Sequence, residues 1–264
     1  MNYQTIMKNA VDGDAAAQAI LGDMYERGEH VLQDYVGALH WYKKSAEQGN
    51  PAAQWKIGRI YEKGLGVNRD NTAALQWYRI AALQSFGDAK TRIGLAYKNG
   101  DGAPQDYKEA ARWFSESVIE GDQGALYYLL IMADEENIVE AQSFLGELYH
   151  LGVGIKKDVH ESAMWYRRAA SQGDSISQYN LGHFYIEGKG VEKDLTLAVD
   201  YFIKAAENQL AVAQNYLGSL YERGVGVEQN YQIAADWYTR ASEQGDVFAQ
   251  ENIEALKKKL APPS

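Results

Sequence analysis

Residues Ala141 to Ala170 read AQSFLGELYHLGVGIKKDVHESAMWYRRAA, and copies of this stretch make up most of the 264-residue chain. An aromatic pair, Trp165-Tyr166 in this copy, recurs in five others. A Leu-Gly or Ile-Gly dipeptide recurs with it, at spacings of 36, 36, 52, 36 and 36 residues. Self-similarity at a period of about 20 to 50 residues indicates a solenoid, in which each unit buries its apolar face only against its neighbours. The six dipeptides are Leu21-Gly22, Ile57-Gly58, Ile93-Gly94, Leu145-Gly146, Leu181-Gly182 and Leu217-Gly218.

Each copy predicts two helices, so the fold class is all-α, an array of helix-turn-helix repeats. In the helix that we call first-type, Ala17, Leu21 and Tyr25 fall at i, i+4 and i+8, which is one stripe of a 3.6-residue period. A glycine-bearing loop follows, and the second-type helix then carries the aromatic pair. Asp or Asn residues are expected as helix N-caps. They are Asp14, Asn50, Asp88, Asp122, Asp174 and Asp246 for the first type, and Asp34, Asp70, Asp106, Asp158, Asp194 and Asn230 for the second.

The regular spacing is broken by 16 extra residues between the third and fourth copies. Asp122 to Glu136 predicts a first-type helix without a second-type partner, apolar nearly all round and therefore buried. We expect this helix, within residues 122–137, to change the superhelical path. Before it, residues 1–121 hold an N-terminal half unit and three repeats. After it, residues 138–264 hold three repeats and a capping helix. The alternative is one long helix from about Tyr107 to Ala133 through Gly121.

Composition excludes several classes of function. The net charge of -10 disfavours a nucleic-acid backbone or an anionic membrane surface as partner. The absence of cysteine excludes disulfides, thiolate metal sites and cysteine catalysis, and it fits a reducing compartment. The longest apolar run is far shorter than the ~20 residues that span a bilayer, and the N-terminus has no signal-peptide pattern. We therefore expect a soluble cytoplasmic protein.

The repeat resembles the Sel-one-like repeats (SLR), which are relatives of the tetratricopeptide repeats. Six copies that agree in Ala, Leu-Gly, Tyr, Gly-x-Gly, Asp, Ala, Trp-Tyr and Ala-Ala carry the resemblance over nearly the whole chain. It implies a right-handed α-α superhelix and a non-enzymatic adaptor that binds a protein or peptide in its concave groove. Narrower possibilities within the family are an immunity protein against a bacterial toxin or effector, and a binder of cell-wall fragments or β-lactam hydrolase-like protein. Known examples of the last kind are secreted and cysteine-rich, unlike this chain.

In the tetratricopeptide arrangement the first helices line the groove, at offsets -5, -2, +2, +5 and +6 from the leucine of the dipeptide. Carried onto this chain, these offsets predict residues that differ between copies while the framework stays constant. Binding to a partner would determine the residues that vary between copies, and packing would determine the constant framework. Exposed aromatic and arginine side chains are the usual hot spots. For Trp55 and Tyr179 the alternative is packing against the neighbouring unit. The predicted partner-binding residues are Trp55, Arg59, Glu62, Lys63, Leu95, Lys98, Asn99, Glu147, His150, Tyr179, His183, Ile186, Asn215, Ser219, Glu222 and Arg223.

No pattern in the sequence predicts catalysis, so we predict no catalytic residue, no cofactor and no metal. Ser-x-x-Lys, Gly-x-Ser-x-Gly and His-Glu-x-x-His are all absent. The Gly-x-Gly loops lack the further residues that phosphate cradles use, so turn geometry explains them. His150 and His183 with Glu147 supply metal-binding atoms, but nothing in their spacing fixes a coordination geometry.

Overall fold

The computed structural model describes residues 2–260, and within them the chain folds into fifteen α-helices and no strand. The predicted all-α class of helix-turn-helix repeats is confirmed. The helices are α1 (Tyr3–Val11), α2 (Ala15–Arg27), α3 (Tyr35–Glu47), α4 (Pro51–Lys63), α5 (Asn71–Ala82), α6 (Ala89–Asn99), α7 (Tyr107–Ile119), α8 (Gln123–Asp134), α9 (Val139–Leu151), α10 (Val159–Ser171), α11 (Ser175–Glu187), α12 (Leu195–Glu207), α13 (Ala211–Arg223), α14 (Tyr231–Glu243) and α15 (Val247–Leu260).

The chain separates into two compact units, Met1–Leu129 (unit 1) and Leu130–Ser264 (unit 2), with the boundary inside α8. The first-type helices are α2, α4 and α6 in unit 1 and α9, α11 and α13 in unit 2. Each packs most extensively on the second-type helix that follows it, and that helix then packs on the next first-type helix of its unit. The half unit at the start is α1, with Ile6 and Ala10 buried, and the last first-type helix is α15.

Helix starts follow the predicted N-caps with one exception. All six second-type helices have a side-chain oxygen of their Asp or Asn accepting from a backbone N–H of the first turn. Five of the six predicted first-type caps do the same. The prediction is wrong for Asp88, whose backbone is not extended (φ -85°, ψ 21°) and whose carboxylate accepts from Arg92 Nε at 3.1 Å instead.

The glycine of each Leu-Gly dipeptide makes room for an aromatic ring. A Cβ built on Gly22 would lie 2.5 Å from Tyr42 Cε1, and one built on Gly182 would lie 2.7 Å from Phe202 Cζ. The same relation holds in the other four repeats. The ring that fills this space is the second of the aromatic pair and is fully buried, whereas the first is half-buried in five of the six pairs. The dipeptide and the aromatic pair are therefore two halves of one contact.

A buried glutamine joins successive helices in five of the six repeats. Gln18 Nε2 donates to the Ala10 carbonyl at 3.1 Å, and its Oε1 accepts from Gln48 at 2.8 Å. Gln54, Gln142, Gln178 and Gln214 make the same two bonds. In the third repeat Lys90 stands at this position and pairs with Glu120 at 2.8 Å. An ion pair thus replaces the amide pair in one repeat.

The extra helix, α8, is separate from α7. Gly121 (φ 97°) lies between them and Asp122 caps α8, so the alternative of one long helix through Gly121 is wrong. The expectation that α8 is buried all round is also wrong, because Tyr127 is 62% exposed while Ala125 and Leu129 are buried. Within unit 2, the Ala133 carbonyl of α8 accepts from Gln142, as second-type carbonyls do elsewhere.

Candidate functional site

The sixteen predicted partner-binding residues all lie on first-type helices, seven on α4 and α6 of unit 1 and nine on α9, α11 and α13 of unit 2. Their environments differ between the units. In unit 1 most groove positions carry charged or polar side chains, and Arg59 and Glu62 form ion pairs with neighbouring helices. In unit 2 they carry aromatic rings, two imidazoles and fewer ion pairs.

In unit 1 the cations of α4 meet acids of α2. Arg59 forms an ion pair with Glu26, and Lys56 Nζ lies 2.7 Å from Asp23. The Tyr42 hydroxyl reaches both carboxylates, at 2.6 Å from Asp23 and 2.7 Å from Glu26. Burial, and then the hydrogen bond to Asp23, raises the pKa of Tyr42, so this phenol stays protonated and donates. Arg59 is therefore held by its own unit.

The sequence analysis missed two acids, Asp23 and Glu26, that pair with the cations of α4. Asp23 and Glu26 stand at offsets +2 and +5 from Leu21, where the rule used for the later copies would have placed them. A further charged contact joins α4 to α6. Glu62 of α4 accepts from the Tyr78 hydroxyl at 2.8 Å and lies 3.8 Å from Arg92 of α6. The charges of these residues on α2, α4 and α6 therefore alternate in sign, and within residues 2–260 Arg59 Nε stays buried without a hydrogen-bond partner.

Trp55 packs against neighbouring helices, which is the alternative to partner binding given in the sequence analysis. Its half-buried ring packs against the core cluster of α5 and α6. Helix α5 belongs to the same repeat as Trp55, and α6 belongs to the next repeat. The Arg59 guanidinium lies 5.4 Å from the ring centroid. The indole Nε1 of Trp55 is buried and has no hydrogen-bond partner within residues 2–260.

The remaining predicted residues of unit 1 differ in their exposure. Lys63 and Asn99 are exposed, and Leu95 is half-buried. The Lys98 carbonyl accepts from Gln105 at 2.8 Å. A cleft of about 90 Å³ borders Glu62, Leu95 and Asn99. That volume is well below the ~300–1,000 Å³ of typical ligand pockets.

In unit 2 four aromatic or imidazole rings from three helices form a cluster. The His183 ring centroid lies 4.6 Å from that of Tyr179, 4.6 Å from that of Tyr216 and 5.1 Å from that of Phe202. Ile186 packs against the same core. Tyr216 was missed because it stands at offset -1 from Leu217, a position outside the groove rule. Tyr179 and His183 are thus partly engaged in packing, and both remain half-buried.

A cleft of about 240 Å³ opens beside this cluster, at the ends of α9 and α11. The His150 ring lies 5.1 Å from that of Phe184, and His150 Nδ1 is buried without a hydrogen-bond partner in the described part of the chain. Burial lowers the pKa of both imidazoles, and Lys157 and Lys189 lower that of His150 further. The lining residues are His150, Asn180, His183, Phe184, Glu187 and Lys189.

Residues 2–260 contain no group of three or more His, Asp or Glu side chains placed to hold a metal ion. The grouping of His150 and His183 with Glu147 that the sequence raised is therefore not formed. Glu147 is exposed, whereas both imidazoles are half-buried in the cleft.

The predicted residues of α13 have partners inside unit 2. Asn215 accepts from Asn252 at 2.8 Å, and Glu222 accepts from the Tyr238 hydroxyl at 2.9 Å. Exposed Arg223 donates from Nε to the Ser219 carbonyl at 3.2 Å. These bonds leave the Arg223 side chain at the surface, where a partner can reach it.

The two units also differ in net charge. Residues 1–129 hold 14 Lys and Arg against 16 Asp and Glu, a net charge of -2. Residues 130–264 hold 12 against 20, a net charge of -8. Most of the negative charge of the chain therefore lies in unit 2.

The chain belongs to the Sel1 repeat family, whose profile matches six consecutive segments, 15–50, 51–86, 87–122, 139–174, 175–210 and 211–246. Sel1 repeats generally mediate protein–protein interaction, and the family is generally non-enzymatic. No helix within residues 2–260 has the length and hydropathy needed to cross a bilayer. Comparison with curated proteins gave no match.

Two solved structures are similar to this chain in sequence. The chain is 32% identical to c5321, a protective antigen present in uropathogenic Escherichia coli strains and displaying an SLR fold, with a TM-score of 0.49. That match covers 97% of this chain and 60% of c5321, so the chain spans less than two thirds of its length. It is 31% identical to a Sel1 repeat protein from Oxalobacter formigenes, over 96% of this chain and 79% of that one, with a TM-score of 0.45.

Proposed function

We propose that this chain is a non-enzymatic interaction scaffold whose first-type helices bind a partner protein or peptide along one face. One observation carries the proposal. The residues that recur in all copies are used for packing, as Gly22 against Tyr42 shows, while the groove positions vary and keep polar and aromatic groups at the surface. A preformed surface of this kind loses little conformational freedom on binding, which favours affinity.

A charge swap on the groove face tests the proposal. Glu147→Lys with Arg223→Glu exchanges two exposed charges on first-type helices and leaves the net charge unchanged. Lys108→Glu with Asp200→Lys does the same on second-type helices and is the matched control. Each tagged protein is used to capture partners from a lysate of its native cell, followed by quantitative mass spectrometry.

We expect a small set of proteins to be recovered with the wild type and the control, and to be at least about tenfold depleted with the groove variant, because one misplaced interface charge costs ~1.4 kcal/mol or more. Equal recovery with both variants would show that binding does not use this face. Circular dichroism of all three proteins verifies that the helices are intact.

An immunity role is a special case of this proposal, in which the partner is a toxin or effector. Family resemblance supports it, and rescue of cells that express a co-encoded toxin is the test. A β-lactam hydrolase or cell-wall-fragment binder is a different class. Hydrolysis of a chromogenic β-lactam by the pure protein, abolished by one groove substitution, would favour it over the scaffold.

A further inference from the structure

We propose that the cleft between His150 and His183 in unit 2 binds an arginine side chain of the partner, an inference that rests on the scaffold function proposed above. The cleft volume of about 240 Å³ lies below the ~300–1,000 Å³ of pockets that enclose a drug-sized ligand. It suits one inserted side chain of a protein partner better than a free metabolite.

The electrostatics of the cleft favour a cation. His150 is the last residue but one of α9, and Glu187 is the last residue of α11. The C-terminal end of a helix carries roughly half a negative charge, so two helix dipoles and one carboxylate act together there. Lys189 already lies in the cleft as the ion-pair partner of Glu187. The chain itself therefore places a cation where the partner's cation would bind.

The two imidazoles are neutral, and that of His183 can accept a hydrogen bond. A protonated imidazole carries N–H groups on both nitrogens, and on His150 the one at Nδ1 would be buried with no acceptor. Burial lowers the pKa of both histidines, and Lys157 and Lys189 add to the effect on His150. Glu187 opposes this effect on both rings, and Glu147 opposes it on His150, but neither outweighs it. At pH 7 both rings are therefore neutral. On His150 the lone pair lies on the buried Nδ1 and Nε2 carries the N–H, so His183 is the ring that can offer a lone pair to the cleft.

These acceptors match a guanidinium better than an ammonium. Arginine presents five N–H donors in one plane and stacks on aromatic rings, whereas lysine is a compact, strongly hydrated charge. The cleft supplies the Glu187 carboxylate, the Asn180 amide oxygen and the His183 lone pair. An anionic side chain would find the cations Lys189 and Lys157 nearby, but it would also meet Glu187, both helix C-termini and a unit of net charge -8.

Histidine-resolved NMR tests the inference on the whole chain. Nα-acetyl-L-arginine amide is the probe, and Nα-acetyl-L-citrulline amide is the neutral control of nearly the same shape. The chain has five histidines, so His30, His40 and His160 report any unspecific effect. We expect saturable shifts at His150 and His183 with the arginine probe at pH 7.5, none at the other three, and weaker binding at pH 5. Equal shifts with citrulline, or shifts spread over all five rings, would overturn the inference.

Two substitutions at the rim should act in opposite directions. Glu187→Gln removes the carboxylate and should weaken binding of the arginine probe up to about fivefold, the effect of one partly exposed ion pair. Lys189→Gln removes the competing cation and should strengthen binding by a similar factor. Both side chains are exposed, so the fold is retained. Changes in the same direction would contradict the assignment.

The outcome separates this inference from the scaffold proposal. If neither imidazole responds to the arginine probe while partner recovery still depends on the Glu147 and Arg223 swap, the cleft assignment fails and the scaffold stands. If recovery is independent of that swap as well, the groove face itself is wrong.

Discussion

Units 1 and 2 are built from the same repeat, yet they use its groove positions differently. In unit 1, Arg59 and Glu62 are bonded to charged or phenolic groups of neighbouring helices. In unit 2 the positions that correspond to Trp55 and Arg59 hold the rings of Tyr179 and His183 beside a cleft, whereas Glu222, which corresponds to Glu62, is likewise bonded to a phenol. The comparison teaches that the framework fixes where the predicted groove positions lie, and that their pairing decides whether they are free to bind. Unit 2 is the better candidate for partner recognition.

The largest expected effect concerns what the units share. Phe114→Ala in unit 1 and Phe202→Ala in unit 2 each remove a fully buried ring that packs on a repeat glycine. Each should lower the free energy of unfolding by ~3–5 kcal/mol. Urea denaturation followed by circular dichroism measures this. A loss below ~1 kcal/mol in either unit would mean that the two frameworks are not equivalent.

The ion pair that replaces an amide pair in unit 1 should show strong coupling. Lys90→Gln and Glu120→Gln should each cost ~1–2 kcal/mol, because each breaks the ion pair and leaves only Ser85 to Glu120, or only Glu116 to Lys90, as partner. The double variant restores the Gln–Gln pair found in other repeats, so its stability should lie within ~0.5 kcal/mol of the wild type. A double-mutant cycle measures the coupling, and strictly additive losses would contradict the interchange.

The same pair predicts a dependence on pH. Burial alone would raise the pKa of Glu120, but hydrogen bonds from Lys90 and Ser85 outweigh burial and lower it. The unfolded chain therefore binds the proton more readily, and this stabilisation is present above the ordinary glutamate pKa of ~4.3 and is lost as pH falls through the lower folded value. Acid denaturation should show a smaller loss over this range in the double variant. Superimposable acid profiles would count against the pair.

Arg59 and Arg223 test directly whether the units differ in free groove residues. Arg59→Gln should cost ~1–2 kcal/mol, because it leaves the Glu26 carboxylate with one cation fewer. Arg223→Gln changes an exposed side chain and should alter stability by no more than ~0.5 kcal/mol. Thermal or urea unfolding compares them. Equal effects would remove the distinction drawn between paired and free groove positions.

The smallest effect concerns the cleft histidines. Because burial lowers the pKa of His150 and His183, the unfolded chain binds protons more readily than the folded one. Stability should therefore fall as pH drops below the ordinary histidine value of ~6.5, by less than ~1 kcal/mol for these half-buried rings. His150→Gln with His183→Gln should flatten the stability profile between about pH 6.5 and 5. An unchanged slope would show that the rings titrate normally.

The sequence predicts the framework well because the period fixes it. The helices, the end half units and eleven of the twelve N-caps follow from spacing and residue type alone. Two features do not. The pairing of Arg59 with Glu26 joins side chains 33 positions apart on adjacent helices, and their lengths and rotamers decide it. Tyr127 looks like core by composition, but α8 packs by one side and leaves it exposed. At the site, the offsets from the dipeptide leucine predict His150 and His183 but not Tyr216 or Glu187. Packing decides the position of Tyr216, and the end of α11 decides that of Glu187.

Hydrogen exchange on the complex with the recovered partner tests the central claim most directly. We expect the partner to slow amide exchange in peptides from the first-type helices of unit 2, α9, α11 and α13, and to leave α10, α12 and α14 unchanged. Slower exchange confined to the second-type helices, with the cleft between His150 and His183 unaffected, would contradict it.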